Sequence, residues 1–166
     1  MSQVILKSGY DILAGWASGA ITRPIDTMYI GYVNDQQEAD LLDPSDDAHA
    51  YFTGLASPRG YMRVPILARP TTKSSGAGYA GNQAVFIAIT GVAGSGAQGA
   101  PFQTEGPSGQ QASRVIEAAL VVSSPNGNVS NDMFFAYSVI SPGIALGAGA
   151  QISIPWTLSF TIPDQQ

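Results

Sequence analysis

Between residues 151 and 162 the chain reads Gln-Ile-Ser-Ile-Pro-Trp-Thr-Leu-Ser-Phe-Thr-Ile, and every even position is apolar: Ile152, Ile154, Trp156, Leu158, Phe160 and Ile162. The odd positions are Gln, Ser, Pro, Thr, Ser and Thr. A period of two lets a pleated strand turn one face to a core and the other to solvent or a partner. A helix would scatter the same side chains around its circumference. The segment is therefore a strand. Pro155 has no N–H to give a ladder, so the strand lies at a sheet edge or carries a bulge there. Trp156 falls on the apolar face and reads as core.

Shorter runs rich in β-branched and aromatic residues repeat this character at 28–33, 61–68, 82–90, 114–123 and 133–140, the last stopping at Ser141-Pro142-Gly143. Asn126-Gly127 is a turn dipeptide tolerant of positive φ between two of these runs. Only residues 11–17 have a helical pattern. Six or more short strands divided by Gly, Pro, Ser and Asn, with at most one short helix near the N-terminus, predict an all-β fold. The expected architecture is an antiparallel, jelly-roll-like β-sandwich. At 166 residues the chain fits one domain spanning 1–166. Residues 1–20 read as a possible N-terminal arm that contacts partners. Residues 91–109, nearly all Gly, Ala, Ser, Gln and Pro, read as a long loop with few large side chains to anchor it.

Charge narrows the function classes. Seven basic residues against twelve acidic ones leave a net charge of −5, and no Lys/Arg stripe is available to follow a phosphate backbone. Nucleic acid is not an expected partner. No apolar run approaches the ~20 residues that span a bilayer. The apolar stretch Val4-Ile5-Leu6 is too short for a secretory signal. There is no cysteine, so neither a disulfide nor a thiolate metal site can form. Charged residues make up only 11% of the chain, against ~25% in an average soluble domain. The exterior must therefore be dressed largely in neutral side chains. Such a surface suits a subunit held permanently in an assembly, because interface cores are depleted in charge.

Chemistry has few candidates. Half of the acids fall in one segment, Asp35, Glu38, Asp40, Asp43, Asp46 and Asp47, which could suit a calcium ion but lacks the EF-hand spacing and reads first as a solvated acidic loop over 35–47. His49, the only histidine, lies beside it without a Gly-x-Ser-x-Gly elbow in the chain and reads as a surface residue. Gly94-Ser95-Gly96-Ala97-Gln98-Gly99 matches Gly-x-Gly-x-x-Gly, but Pro101, Gly106 and Pro107 follow where a phosphate-binding helix should start. Asn128-Val129-Ser130 is an incidental glycosylation sequon. No catalytic, cofactor-binding or metal-binding residue is assigned. Tyr61, Arg63 and the run Met28 to Tyr32 read as structural, with Arg63 expected to pair with a carboxylate.

Four segments in order resemble a family of bacteriophage virion proteins, the small β-sandwich capsid decoration (cement) or head-fibre-like proteins. They are Ile21-Thr-Arg-Pro-Ile-Asp-Thr-Met-Tyr-Ile-Gly-Tyr-Val-Asn34, Gly60-Tyr-Met-Arg-Val-Pro-Ile66, Gly81-Asn-Gln-Ala-Val-Phe-Ile-Ala-Ile-Thr90 and Ala136-Tyr-Ser-Val-Ile-Ser-Pro-Gly-Ile-Ala-Leu-Gly-Ala-Gly-Ala-Gln-Ile-Ser-Ile154. The resemblance implies a non-enzymatic protein on the capsid exterior of the virion, commonly a homotrimer, that bridges subunits of the major capsid protein. It brings no catalytic residues and no cofactor. A second reading, a receptor- or glycan-binding tip of a head or tail fibre, requires exposed aromatics such as Tyr51-Phe52 or Tyr79. A third, a small hydrolase, rests only on His49 and scattered acids.

Overall fold

The computed structural model describes residues 2–33, 42–53, 60–66, 76–80, 83–89, 114–145 and 153–159. Strand β1 (Ser2–Ile5) leads into helix α1 (Lys7–Ser18), followed by β2 (Thr27–Val33), a short helix α2 (Ala48–Thr53), β3 (Gly60–Pro65), β4 (Gly76–Ala80), β5 (Gln83–Ile89), β6 (Arg114–Val122), β7 (Met133–Ala145) and β8 (Ser153–Ser159). The strands pair antiparallel into a five-stranded sheet ordered β1-β7-β6-β2-β3 and a three-stranded sheet ordered β4-β5-β8. The expectation of an all-β, antiparallel chain holds. Among the described residues, no helix is long and apolar enough to cross a membrane.

The alternation in β8 does what its period requires. Ile154, Trp156 and Leu158 are buried while Ser153, Pro155, Thr157 and Ser159 are exposed. Pro155 sits in an outer strand of its sheet, where the ladder N–H it lacks is not demanded on both sides. One apolar cluster joins these residues and Phe86 and Ala88 of β5 to Met28 and Ile30 of β2 and Leu120 and Val122 of β6, so both sheets feed the same core. Strand β6 is buried on both faces. Ala118 and Leu120 face that shared cluster, while Ala119 and Val121 enter a second one with Tyr29, Phe52, Phe134 and Tyr137. A strand covered on both sides reads as a continuous apolar run, which is how residues 114–123 read.

Several expectations need correction. The segment read as a possible partner-contacting arm, residues 1–20, is integrated into the fold over its described part: β1 pairs with β7 from Ser2↔Val139 to Ile5↔Ala136, and α1 packs Ile12 into the shared core. Helix α1 begins four residues before residue 11 because tertiary partners replace a local cap. Leu6 at its N-cap offers no side-chain acceptor, but the Lys7 N–H donates to the Pro44 carbonyl at 2.6 Å. The helix ends at Gly19, whose φ of 76° lets its N–H return to the Trp16 carbonyl. Helix α2 is a second helix, one more than the single short N-terminal helix expected. It begins just after the predicted acidic loop 35–47, and Asp47 caps it by accepting the Ala50 N–H at 3.1 Å.

Strand β7 does not stop at Ser141-Pro142-Gly143 either. It continues to Ala145, pairing Val115↔Ile144 beyond a register shift that lets Pro142 avoid the ladder. The predicted loop 91–109 lies outside the described residues, as do positions 67–68, 82, 90, 151–152 and 160–162 of the predicted strands.

Gly9 tests how tightly α1 is seated. A Cβ there would collide with the Phe135 carbonyl oxygen and come within 3.0 Å of Ile5 Cγ2. Alanine gains about 1 kcal/mol of helix propensity, but main chain must move to admit it, at about 1–3 kcal/mol. Gly9→Ala is expected to lower the urea midpoint with an unchanged slope, because the clash outweighs the propensity; a raised midpoint would show α1 to be loosely docked.

Candidate functional site

The face of the large sheet turned away from the small one carries two buried carboxylates, Glu117 and Asp132, that the sequence reading did not single out. A buried carboxylate is costly unless donors surround it. Asp132 has four. Its Oδ2 accepts the Tyr29 hydroxyl and the Arg63 Nε–H, both at 2.7 Å. Its Oδ1 accepts the Ser124 N–H at 2.8 Å and a second Arg63 N–H at 3.3 Å. Tyr29 and Arg63 stand opposite each other in the β2–β3 register, so both point to the same face. Tyr61, two residues from Arg63, stacks parallel on Tyr29 at 5.3 Å, and Phe134 meets the Tyr29 ring edge-on at 4.8 Å.

These contacts fix protonation states. Burial works to raise the Asp132 carboxyl, but the bonds from Arg63, Ser124 and Tyr29 together outweigh it and hold the group below the usual carboxylate range. Burial first, and donation to Asp132 second, push the Tyr29 hydroxyl far above its ordinary value. Arg63 is raised chiefly by its bond to Asp132. The set is closed, with an ionised acceptor, filled donors and no member that exchanges a proton near neutrality. The expected pairing of Arg63 with a carboxylate is met, and Asp132 is the partner.

Glu117, 1% exposed, lies in the middle of β6. Its Oε2 accepts the hydroxyls of Tyr51 at 2.8 Å and Tyr137 at 2.7 Å. Gly31 faces it across the β2–β6 register and supplies the space, since a Cβ at position 31 would collide with Glu117 Cγ. A third carboxylate, Asp26, accepts the Ser123 N–H at 2.8 Å, the Ser123 hydroxyl at 2.7 Å and Arg23 at 2.9 Å. Two aspartates thus hold the two consecutive serines that follow β6.

The remaining candidates scatter or turn inward. Tyr51 is half-buried and Phe52 is buried, so this pair is not the exposed aromatic loop that a glycan site requires. The Tyr79 side chain lies outside the described residues, as do Asp35, Glu38, Asp40 and the glycines 94–99. Asp43, Asp46 and Asp47 are exposed, and Asp46 accepts the Asp43 N–H at 2.7 Å, a local turn bond.

His49 is half-buried, with Nε2 3.0 Å from the Val129 carbonyl oxygen. It borders a cavity of about 460 Å³ lined also by Lys7, Ser8, Asp11, Asp46 and Asp47. The Ser8 hydroxyl there donates to the Phe134 carbonyl at 2.5 Å, so both side chains point polar atoms at main chain. No group of three potential ligands able to hold a metal occurs among the described residues. A second cavity of about 360 Å³, lined by Trp16, Arg23, Phe86, Phe135 and Leu158 among others, is mostly apolar.

Because the folded Asp132 carboxyl titrates below its unfolded value of about 4, its contribution to stability is complete above that pH and is lost as pH falls through the folded value. Thermal melts of the wild type should weaken steeply in acid, and Asp132→Asn should flatten that limb while being less stable at pH 7. Arg63→Met, which leaves a buried carboxylate short of its cation, should cost about 2–3 kcal/mol at neutral pH, discounted for the partial exposure of Arg63. Equal acid limbs in wild type and Asp132→Asn would remove Asp132 as the source. Comparison with protein-family models, with curated proteins and with solved structures yields no match to this chain.

Proposed function

We propose that this chain is a non-enzymatic structural subunit of a bacteriophage virion, a β-sandwich of jelly-roll type that decorates the capsid exterior and bridges subunits of the major capsid protein. The sandwich reading is supported by the single apolar cluster fed from both sheets. The observation that carries the role is the outer face of the small sheet. Ser153, Pro155, Thr157 and Ser159 are exposed there, and Val85 and Ile87 stand opposite Thr157 and Pro155 in register. Gly76 and Gly78 of β4 pair with Ile87 and Val85 and continue that face. Not one of these residues is charged, although the chain carries a net −5.

A flat, uncharged, partly apolar surface meets neighbours with little desolvation penalty. The two buried carboxylates on the opposite side, Glu117 and Asp132, are engaged by donors of the fold, which further supports a role in contact and not turnover. In this reading each copy, as part of a homotrimer, adds a modest contact, and many copies together oppose opening of the shell.

The test is binding of purified protein to expanded, undecorated heads, with light scattering to count subunits. Thr157→Lys places a charge at the centre of the proposed contact, and an unpaired buried ammonium costs several kcal/mol. Head binding is expected to weaken at least about a hundredfold, with the melting temperature unchanged. A wild-type monomer with no affinity for heads, or a Thr157→Lys variant that binds normally, overturns the proposal.

A further inference from the structure

The connection from β6 to β7 carries Ser124-Pro125-Asn126-Gly127-Asn128, and its side-chain geometry concerns a covalent step that the structural role does not use. The Asn126 Oδ1 accepts two donors, the Ser124 hydroxyl and the Asn128 N–H, the latter at 3.3 Å. The second bond closes an Asx turn, which folds the side-chain carbonyl forward over the Gly127 peptide. Both donors pull electron density toward Oδ1, as donors do where an oxyanion develops. Asn126 is exposed, and so is Gly127, which has φ +71° and open space on every side where a Cβ would stand. No side chain on Gly127 shields its nitrogen, whose hydrogen bond to the Ser124 carbonyl at 3.1 Å must open before it can attack.

We infer that Asn126 is a site of spontaneous deamidation. The Gly127 nitrogen, losing its proton to water, attacks Asn126 Cγ; the tetrahedral adduct places its negative charge on Oδ1, facing the two donors. The Cγ–Nδ2 bond breaks as water returns a proton to Nδ2, and ammonia leaves, giving a cyclic succinimide. Water then adds to either ring carbonyl and opens the ring to aspartate or, through the other C–N bond, to isoaspartate. No oxidant or cofactor is involved. The product carries one more negative charge and, as isoaspartate, one more backbone atom in the turn whose Ser124 N–H holds Asp132.

The neighbouring asparagines are internal controls. Asn128 makes the same kind of turn bond, its Oδ1 accepting the Ser130 N–H, but it precedes the β-branched Val129, whose side chain crowds the attacking nitrogen. Asn131 precedes Asp132, whose N–H is bonded to the Val129 carbonyl.

The experiment incubates the full chain, folded and separately unfolded in urea, at mildly alkaline pH, with peptide mapping by mass spectrometry and isoaspartyl methylation as readouts. In the folded protein a gain of one mass unit is expected at Asn126, about tenfold faster than at Asn128 or Asn131. Ser124→Ala should slow the folded reaction about tenfold by removing one oxyanion donor, while its rate in urea matches that of unfolded wild type. Conversion only in urea, equal conversion at all three asparagines, or a folded Ser124→Ala variant reacting as fast as wild type would overturn the inference.

Discussion

The ionised Asp132 side chain is the constraint around which the large sheet is arranged. Once buried it must be given donors, and these come from three separate strand regions: Tyr29 on β2, Arg63 on β3 and the Ser124 main chain beyond β6. Each donor can reach the carboxylate in only one β2–β3 and β2–β6 register. A one-residue slip would turn Tyr29 or Arg63 to the opposite face. The aromatic rings of Tyr61, Phe134 and Phe52 around Tyr29 add packing in the same place. The apolar inner face tolerates alternative packings far better than this polar one does.

Glu117 applies the same logic in the middle of the sheet. A strand of small and branched apolar residues pairs comfortably in several registers, but only one places Gly31 beneath the Glu117 side chain. Two tyrosine hydroxyls that donate to it come from α2 and β7, so a six-residue helix, too short to persist alone, is tied to the central strand. The acidic segment before it contributes Asp47 as the helix cap and Asp46 as a turn acceptor, which are local structural duties for acids in a run otherwise read as solvated.

What could be read from the sequence divides along the range of the interactions. The alternation of Ile154, Trp156 and Leu158 and the apolar run of β6 are written in local periodicity and were legible as strands. Pro155 signalled an edge or a bulge, and its outer position in the small sheet resolves it as an edge. Arg63 was recognisable as half of an ion pair because so few cations are present. Its partner was not, since Asp132 lies 69 residues away and nothing local marks it as buried. Glu117 did leave a signal, a single charge inside an apolar run, which by itself demands partners. Helix α1 was legible from residue 11 but not from Lys7, because its first turn is completed by the Pro44 carbonyl. Strand β1 and helix α2 are too short for a period to show. The extension of β7 past Pro142 depends on a shift of register against β6, which the sequence of β7 alone does not encode.

The placement of charge links the fold to the proposed role. Among the described residues, the charged side chains lie on α1, on the segments flanking β2 and α2, and on β3, β6 and the β7 entry, leaving the described outer face of the small sheet without any. Two copies of an acidic chain, or one copy and an acidic shell, repel through most approaches and least through that face. Such a face cannot steer a partner from a distance, so association through the proposed contact should not exceed the unassisted rate of about 10⁵–10⁶ M⁻¹s⁻¹. The same lack of charge leaves the proposed contact with no ion pair for salt to weaken. A surface of this kind gives up fast, steered encounter, and behind it the two buried carboxylates fix the register of the large sheet against which the small one packs.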